Sequence, residues 1–353
     1  MFVWAMRDKG SEWRAMRGFL RAGALPFTPL VEAVCEPFIA QEGRAAQNPI
    51  AAMGNLGRRI APLTDSGRVW VDLGHLERIF SAHDVAEMLR VVRRPRELAR
   101  HLVVPVIRTS TQTPLINAAI EWARLEGSGI CIRVDGLTRL QEKNSLANAI
   151  ATESGLRESD IDVVLDAQDL PLAVSHDEMR SAFPLVHSAR TWVVLAGSFP
   201  QSITDMKPDE YEHRRDRGEW NAWRKEIEQH GDLRRPMFGD YATQPALYNP
   251  SPAFPGSPSV RYSTGDEYII LRGRGGFGGK GADYSQYIGH ARFLRQQGYF
   301  RSVVHTLGDE YAERIAAGGN GTGNLTTWRV ASLQRHLSVV SAQVSQYATV
   351  FAS

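Results

Sequence analysis

A chain of 353 residues, 43% hydrophobic and 23% charged, has the make-up of a globular protein with a sizeable core, which excludes extended disorder. Its 41 Lys and Arg against 39 Asp and Glu leave a formal charge of +2, too little for a global nucleic-acid footprint, so any basic surface has to be a local cluster. No apolar stretch approaches the roughly 18 residues of a membrane span, and Met1-Phe2-Val3-Trp4-Ala5-Met6-Arg7 lacks a basic region followed by a long apolar core, so no membrane contact and a cytoplasmic location are expected.

Apolar runs rich in β-branched and aromatic residues occur at 2–7, 27–34, 69–73, 102–108, 129–135, 162–166, 191–197 and 237–241, most of them ending on a charged or small polar residue. Their starts advance by about 33 residues on average, the length of one strand, one crossover helix and two loops. Eight strands at that spacing predict an α/β fold, a (β/α)8 TIM-like barrel over 1–243 with its charged strand ends gathered at one mouth. Residues 244–353 then form a C-terminal elaboration packed on the barrel, an added β-hairpin followed by a helical segment. Two compact domains are the alternative division.

In chain order, the first strand leads into Asp8-Lys9-Gly10-Ser11-Glu12, ahead of Trp13, Met16, Phe19 and Leu20 at helical spacing. Lys9 and Glu12 therefore fall at the mouth, unless Glu12 only supports the helix dipole and Lys9 is solvated. Thr28, Leu30 and Glu32 share one strand face, which places a carboxylate at its upper end. Residues 41–67, rich in Gly, Ala and Asn with Arg58-Arg59, read as a loop or short helix longer than usual, a candidate lid or partner surface. Asp72 ends strand three on the face of Trp70, and Arg108 ends strand four before a helix opened by Pro114.

Cys131, Arg133 and Asp135 share a face of strand five. An Arg inside an apolar strand is costly to bury unpaired, so Arg133 requires an acidic partner in Asp166, Asp135 or Asp72; a purely structural ion pair between adjacent strands is the plainer alternative. On strand six, Asp162 is expected near solvent at the barrel floor and Asp166 at the mouth. Cys35 and Cys131, the only cysteines, are expected to be buried free thiols.

Residues 205–234 are dense in charges that nearly cancel, and read first as a solvated helical insertion and otherwise as a nucleic-acid or partner surface, where Trp220 and Trp223 would be the anchors for a partner protein. Past a Pro- and Ser-rich loop at 244–258, the runs 260–263 and 268–272 flank Thr264-Gly265-Asp266-Glu267, a hairpin laid over or beside the mouth. The hairpin empties into Arg272-Gly273-Arg274-Gly275-Gly276-Phe277-Gly278-Gly279-Lys280-Gly281. Such a loop before a helix could bring backbone N–H groups and three cations to a phosphate, although Gly281 after Lys280 does not fit a P-loop; otherwise it is a turn whose glycines only allow positive φ. His336, on an apolar-striped final helix, is either a hydrogen-bonded packing residue or part of a ligand site.

Glu32, Asp72, Asp135 and Asp166, with Lys9, form the candidate catalytic set, able to supply a general base or the oxygen ligands that Mg²⁺ prefers, and their crowding is expected to raise at least one pKa. Arg108, Arg133, Arg272, Arg274, Lys280, Arg329 and His336 are the candidate phosphate-binding residues. The expected function is binding, and if catalytic the metal-assisted hydrolysis, of a phosphate-bearing ligand such as a nucleotide or nucleic acid. The alternative is a non-catalytic protein–protein interaction module that uses 205–234 and the C-terminal segment.

The order of these features resembles the beta protein family found in phages and bacteria. The residues concerned are the opening strand leading to Lys9 and Glu12, Pro29-Leu30-x-Glu32, the strand ends Asp72, Arg108 and Asp166, the strand 268–272, Gly308-Asp309, Gly323-Asn324, Trp328-Arg329 and His336. The resemblance spans nearly the whole chain. Ser11 stands where Gly is expected before the Glu, and Gln334-Arg335-His336 replaces an expected pair of histidines. Membership would imply a phage or prophage setting or a bacterial antiviral-defence neighbourhood, and it brings no established reaction.

Overall fold

Alternating apolar residues in eight segments close into one parallel barrel: β1 (Val3–Arg7), β2 (Thr28–Glu32), β3 (Val69–Asp72), β4 (Val103–Arg108), β5 (Ile130–Asp135), β6 (Ile161–Gln168), β7 (Thr191–Ala196) and β9 (Met237–Asp240), the last returning to β1. The strand β8 (His213–Asp216) lies outside this barrel. The structure is a computed structural model that describes residues 1–22, 27–40, 45–95, 97–169, 178, 180–181, 183–208, 210, 212–229, 234–250, 256–276, 282–319 and 321–350. All eight runs expected from the sequence are strands of the barrel.

Helices α1 (Gly10–Arg21), α2 (Pro49–Ile60), α3 (Ala82–Val92), α4 (Thr113–Glu126) and α5 (Leu140–Ser154) follow the first five strands in turn, and α6 (Gly218–Gln229) precedes β9. Local chemistry starts and stops them. Asn48 and Ser81 cap α2 and α3 through the backbone N–H groups of Ala51 and Asp84, and Gly127 in the left-handed region ends α4. The segment 41–67, expected as a loop or short helix and a candidate lid or partner surface, contains α2, whose Met53, Leu56 and Ile60 are buried on its inner face, while residues 41–44 lie outside the described residues.

Two apolar layers share each strand. Val3, Ala5, Leu30, Trp70, Val104, Val106, Cys131, Val164, Val193 and Leu195 fill the barrel interior. Trp4, Val31, Val71, Ile107, Ile132, Val163 and Trp192 face outward into a second cluster with the helices. Gly239 on β9 permits the tight closure, because a Cβ there would stand 2.9 Å from Val193 Cγ1. Cys35 and Cys131 are buried free thiols. Asp162, expected near solvent, is instead fully buried and clamped by Arg190 at 2.7 Å. A carboxylate on an inward face needs such a partner.

The hairpin β10 (Ser259–Ser263) and β11 (Glu267–Arg272) forms as its turn chemistry predicts, and β8 adds to β11 to make a three-stranded sheet. The region 205–234 is therefore not a solvated helical insertion. Trp220 and Trp223 on α6 are buried, stacked at 5.4 Å, and packed edge-on against Phe238. Beyond the sheet come α7 (Gln286–Gln296), α8 (Leu307–Ala316), which opens with a Thr306/Asp309 capping box, and α9 (Leu325–Val350). The last helix runs against α1 and places Leu333, Leu337, Val340 and Val344 in the same cluster as the barrel's outer face. No helix among the described residues is long and apolar enough to cross a membrane.

Candidate functional site

Continuing each inward face one step toward the C-terminal strand ends turns the apolar interior into a layer of charge. Arg7 follows Val3 and Ala5, Glu32 follows Leu30, Asp72 follows Trp70, Arg108 follows Val106, Arg133 follows Cys131, and Asp166 follows Val164. Register brings Arg7 opposite Glu32, Glu32 opposite Asp72 and Arg108 opposite Arg133. The period-two alternation that packs the core thus also assembles the mouth.

Arg133 is the hub. Its Nη1 donates to Glu32 Oε1 at 2.7 Å and Asp72 Oδ2 at 2.6 Å, and its Nη2 donates to Asp166 Oδ2 at 2.7 Å and Tyr241 Oη at 2.8 Å. Arg108 Nε grips both oxygens of Asp72 at 3.0 and 2.9 Å, and Tyr241 Oη donates to Asp166 at 2.7 Å. Of the three partners considered for Arg133, it takes Asp72 and Asp166 and adds Glu32. Asp135 instead accepts from the hydroxyls of Thr109 (2.5 Å) and Ser110 (2.6 Å) at the rim. Gly74 allows the Arg108 clamp, because a Cβ there would stand 2.6 Å from Arg108 Nε. A bulge between Asp166 and Gln168, with Gln168 at φ 58, breaks the ladder at the end of β6 and returns the Gln168 N–H to Asp166.

These carboxylates behave unlike a crowded acidic cluster. Burial alone would raise the Glu32 carboxyl, but Arg133, then His75 and Arg108, outweigh it and hold Glu32 well below its ordinary range. Asp72 is likewise lowered, its burial overcome by Arg108 and Arg133. The raised carboxyl is Glu12, which burial pushes up to about 7 against the pull of Gln244, Arg7 and Lys9. Its second oxygen accepts the backbone N–H of Arg7. Burial lowers the His75 pKa and raises that of Tyr241.

Above this layer lies a cavity of about 260 Å³ lined by Glu32, His75, Glu77, Arg78, Arg108, Arg133, Asp135, Asp166, Gln168, Tyr241 and Tyr248, among others. It gathers Glu32, Asp135, Asp166, Arg108 and Arg133 from the expected set, with Asp72 directly beneath. Lys9 sits beside it, paired with Glu36 at 2.7 Å. Mg²⁺ does not fit this floor. The Arg133 guanidinium stands between Glu32, Asp72 and Asp166 where a cation would have to sit, and no group of three or more His, Cys, Asp or Glu among the described residues could hold a metal ion.

The remaining expected phosphate ligands are not at the mouth. Arg272 and Arg329 line a separate cleft of about 670 Å³ together with Arg261, which was not anticipated. Arg274 is exposed, its backbone N–H held by Gln286 at 2.7 Å. Lys280 lies outside the described residues. His336 is fully buried between Asp240 (2.6 Å) and Ser263 (2.8 Å), so it packs and does not face a ligand. Arg7, His75, Arg78, Tyr241 and Tyr248 are mouth residues that sequence reasoning missed. Arg7 and Tyr241 were legible as the polar ends of their strand patterns, whereas His75, Arg78 and Tyr248 come from loops, whose course the pattern does not reveal.

Residues 6–342 match a family model described as Beta protein. No curated protein and no solved structure matches the chain.

Proposed function

The chain belongs to the Beta protein family, and we propose that it binds a phosphate-bearing ligand, the phosphorylated end of a nucleotide or nucleic acid, at the mouth of its barrel. The succession of strands and helices supports reading the fold as a (β/α)8 barrel, in which ligands are taken at the C-terminal strand ends. One observation carries the proposal. At the floor, Arg7, Arg108 and Arg133 face Glu32, Asp72 and Asp166, three charges against three, so the carboxylates are already neutralised and do not repel an incoming anion. Donors remain above them. Arg108 Nη1 has no partner among the described residues, and Arg78 at the rim donates only to the Tyr248 carbonyl at 3.1 Å.

The same geometry favours binding over metal-assisted hydrolysis. Carboxylates held ionised by guanidinium groups are weak bases and poor acids near neutral pH. A cavity of about 260 Å³ falls just below the usual range of small-molecule pockets, about 300 Å³ and upward, which suits one end of a larger ligand. The reading as a protein-interaction module loses its anchors, since Trp220 and Trp223 are core residues.

The test is an equilibrium titration of the full chain with inorganic phosphate, AMP, ADP and ATP, repeated with Arg78→Gln. A lost charge-assisted contact of about 1.5–3 kcal/mol weakens binding about tenfold or more. Affinity unchanged in Arg78→Gln and Arg108→Gln would remove the phosphate from the mouth.

A further inference from the structure

Among the described residues the buried arginines are paired with carboxylates, three for Arg133, Glu219 for Arg217 and Asp309 for Arg335, and the half-buried Arg190 has Asp162. The cleft formed by β10, β11 and the start of α9 gathers half-buried arginines that differ. Arg261, Arg272 and Arg329 line it, and none of the three has a carboxylate within 4.0 Å among the described residues. Arg261 donates to the Thr243 carbonyl at 2.6 Å and lies over the Phe199 ring at 4.7 Å. Arg272 is held by Ser257 Oγ at 3.3 Å and by the carbonyls of Thr204 and Met206, and Arg329 makes no hydrogen bond or ion pair among the described residues. Carbonyls and rings orient a guanidinium without cancelling its charge, so three positive charges converge uncompensated.

From this arrangement we propose that the cleft is a second anion site, distinct from the mouth, that takes an extended chain of phosphates. Its volume, about 670 Å³, exceeds the mouth's 260 Å³, and its cations come from three separate elements, which suits several phosphates in a row better than one. Seven Ser and Thr residues also line it, while no carboxylate and no aromatic ring does among the described residues. The described lining residues thus offer no stacking platform for a base, and the recognition argued here rests on the phosphates. The cations also repel one another. Burial, then Arg329, push the Arg261 pKa down to about 9, with Arg7 adding to the effect, and an anion bound between the arginines relieves that repulsion. The start of α9 contributes little, because the N–H groups of Thr326 and Thr327 are already capped by Asn324 Oδ1 at 2.9 and 3.0 Å. The site stands independently of the mouth reading. Pro245 lines the cleft and Ala246 to Tyr248 line the mouth, so the two are neighbours on either side of one segment.

The experiment titrates the full chain with orthophosphate, pyrophosphate, tripolyphosphate and a short oligothymidylate matched in charge to a polyphosphate. Affinity is expected to climb with phosphate number. Arg329→Gln, which removes a side chain with no partner to lose, is expected to weaken tripolyphosphate binding about tenfold and to flatten the log–log salt dependence by about one unit. Arg78→Gln at the mouth should leave the Arg329-dependent part of tripolyphosphate binding in place. Oligothymidylate binding as tightly as the matched polyphosphate identifies a phosphodiester backbone as the source, and weaker binding identifies polyphosphate; either supports the site. Tripolyphosphate that fails to bind, or that is lost with Arg78→Gln but not with Arg329→Gln, overturns it. The second outcome leaves the mouth reading intact, whereas a null result for orthophosphate and AMP alone removes the mouth and spares the cleft.

Discussion

Arg133 decides the stability of the mouth because three buried carboxylates depend on one guanidinium. Replacing it by Met strands those charges, and breaking a buried pair in this way costs about 3–5 kcal/mol. Urea unfolding at pH 8 is expected to show that loss, with a smaller deficit at pH 5, where the stranded carboxyls can protonate; an equal deficit at both pH values argues against it. In the unaltered chain Glu32 and Asp72 have folded pKa values below their unfolded ones, so their contribution is present above about pH 4 and is lost as pH falls further. Glu12 has the opposite sign. Its folded pKa of about 7 lies above the ordinary 4.5, so the protein loses stability as pH rises from 4.5 to 7, by roughly 3 kcal/mol at most. Glu12→Gln should therefore gain on the unaltered chain at pH 8 and not at pH 4.5, measured by chemical denaturation; the same difference at both pH values contradicts this. The need for a partner at Arg133 was legible because a charge in an apolar strand demands one. Its sharing among three carboxylates was not, since that depends on how the closed barrel brings β2, β3 and β6 around β5.

Among the elements, Ser263, His336 and Asp240 join β10, α9 and β9 by hydrogen bonds of 2.8 and 2.6 Å. The order is that of a hydrolase relay, but all three side chains are sealed from solvent, so they act as a clamp between the barrel and the three-stranded sheet. A double-mutant cycle with Asp240→Ala and His336→Ala should give a coupling energy of about 1–3 kcal/mol in urea unfolding; a value near zero means that the contact holds nothing. Trp220→Ala and Trp223→Ala should each cost about 3–5 kcal/mol. A variant of either that unfolds at the urea midpoint of the unaltered chain would return these residues to the surface. The hairpin was legible from its turn residues. The strand β8 was not, because His213-Arg214-Arg215-Asp216 carries no apolar alternation, and it pairs through its backbone with the edge of β11.

For the molecule as a whole, spacing revealed the barrel and alternation revealed its charged mouth, since both follow from the periods of strands and crossovers. What spacing could not reveal is the sorting of charges. Glu32, Asp72, Asp166, Arg108 and Arg133 neutralise one another, while Arg272 and Arg329 stand apart in a cleft with Arg261. On that sorting rests the proposal that the mouth takes an anion without a metal, and its most direct measurement is calorimetric titration of ATP into the full chain in excess EDTA and again in Mg²⁺. Binding is expected in EDTA, weakened about tenfold in Arg108→Gln; binding that appears only when Mg²⁺ is added, or that Arg108→Gln leaves unchanged, would overturn the metal-free mouth.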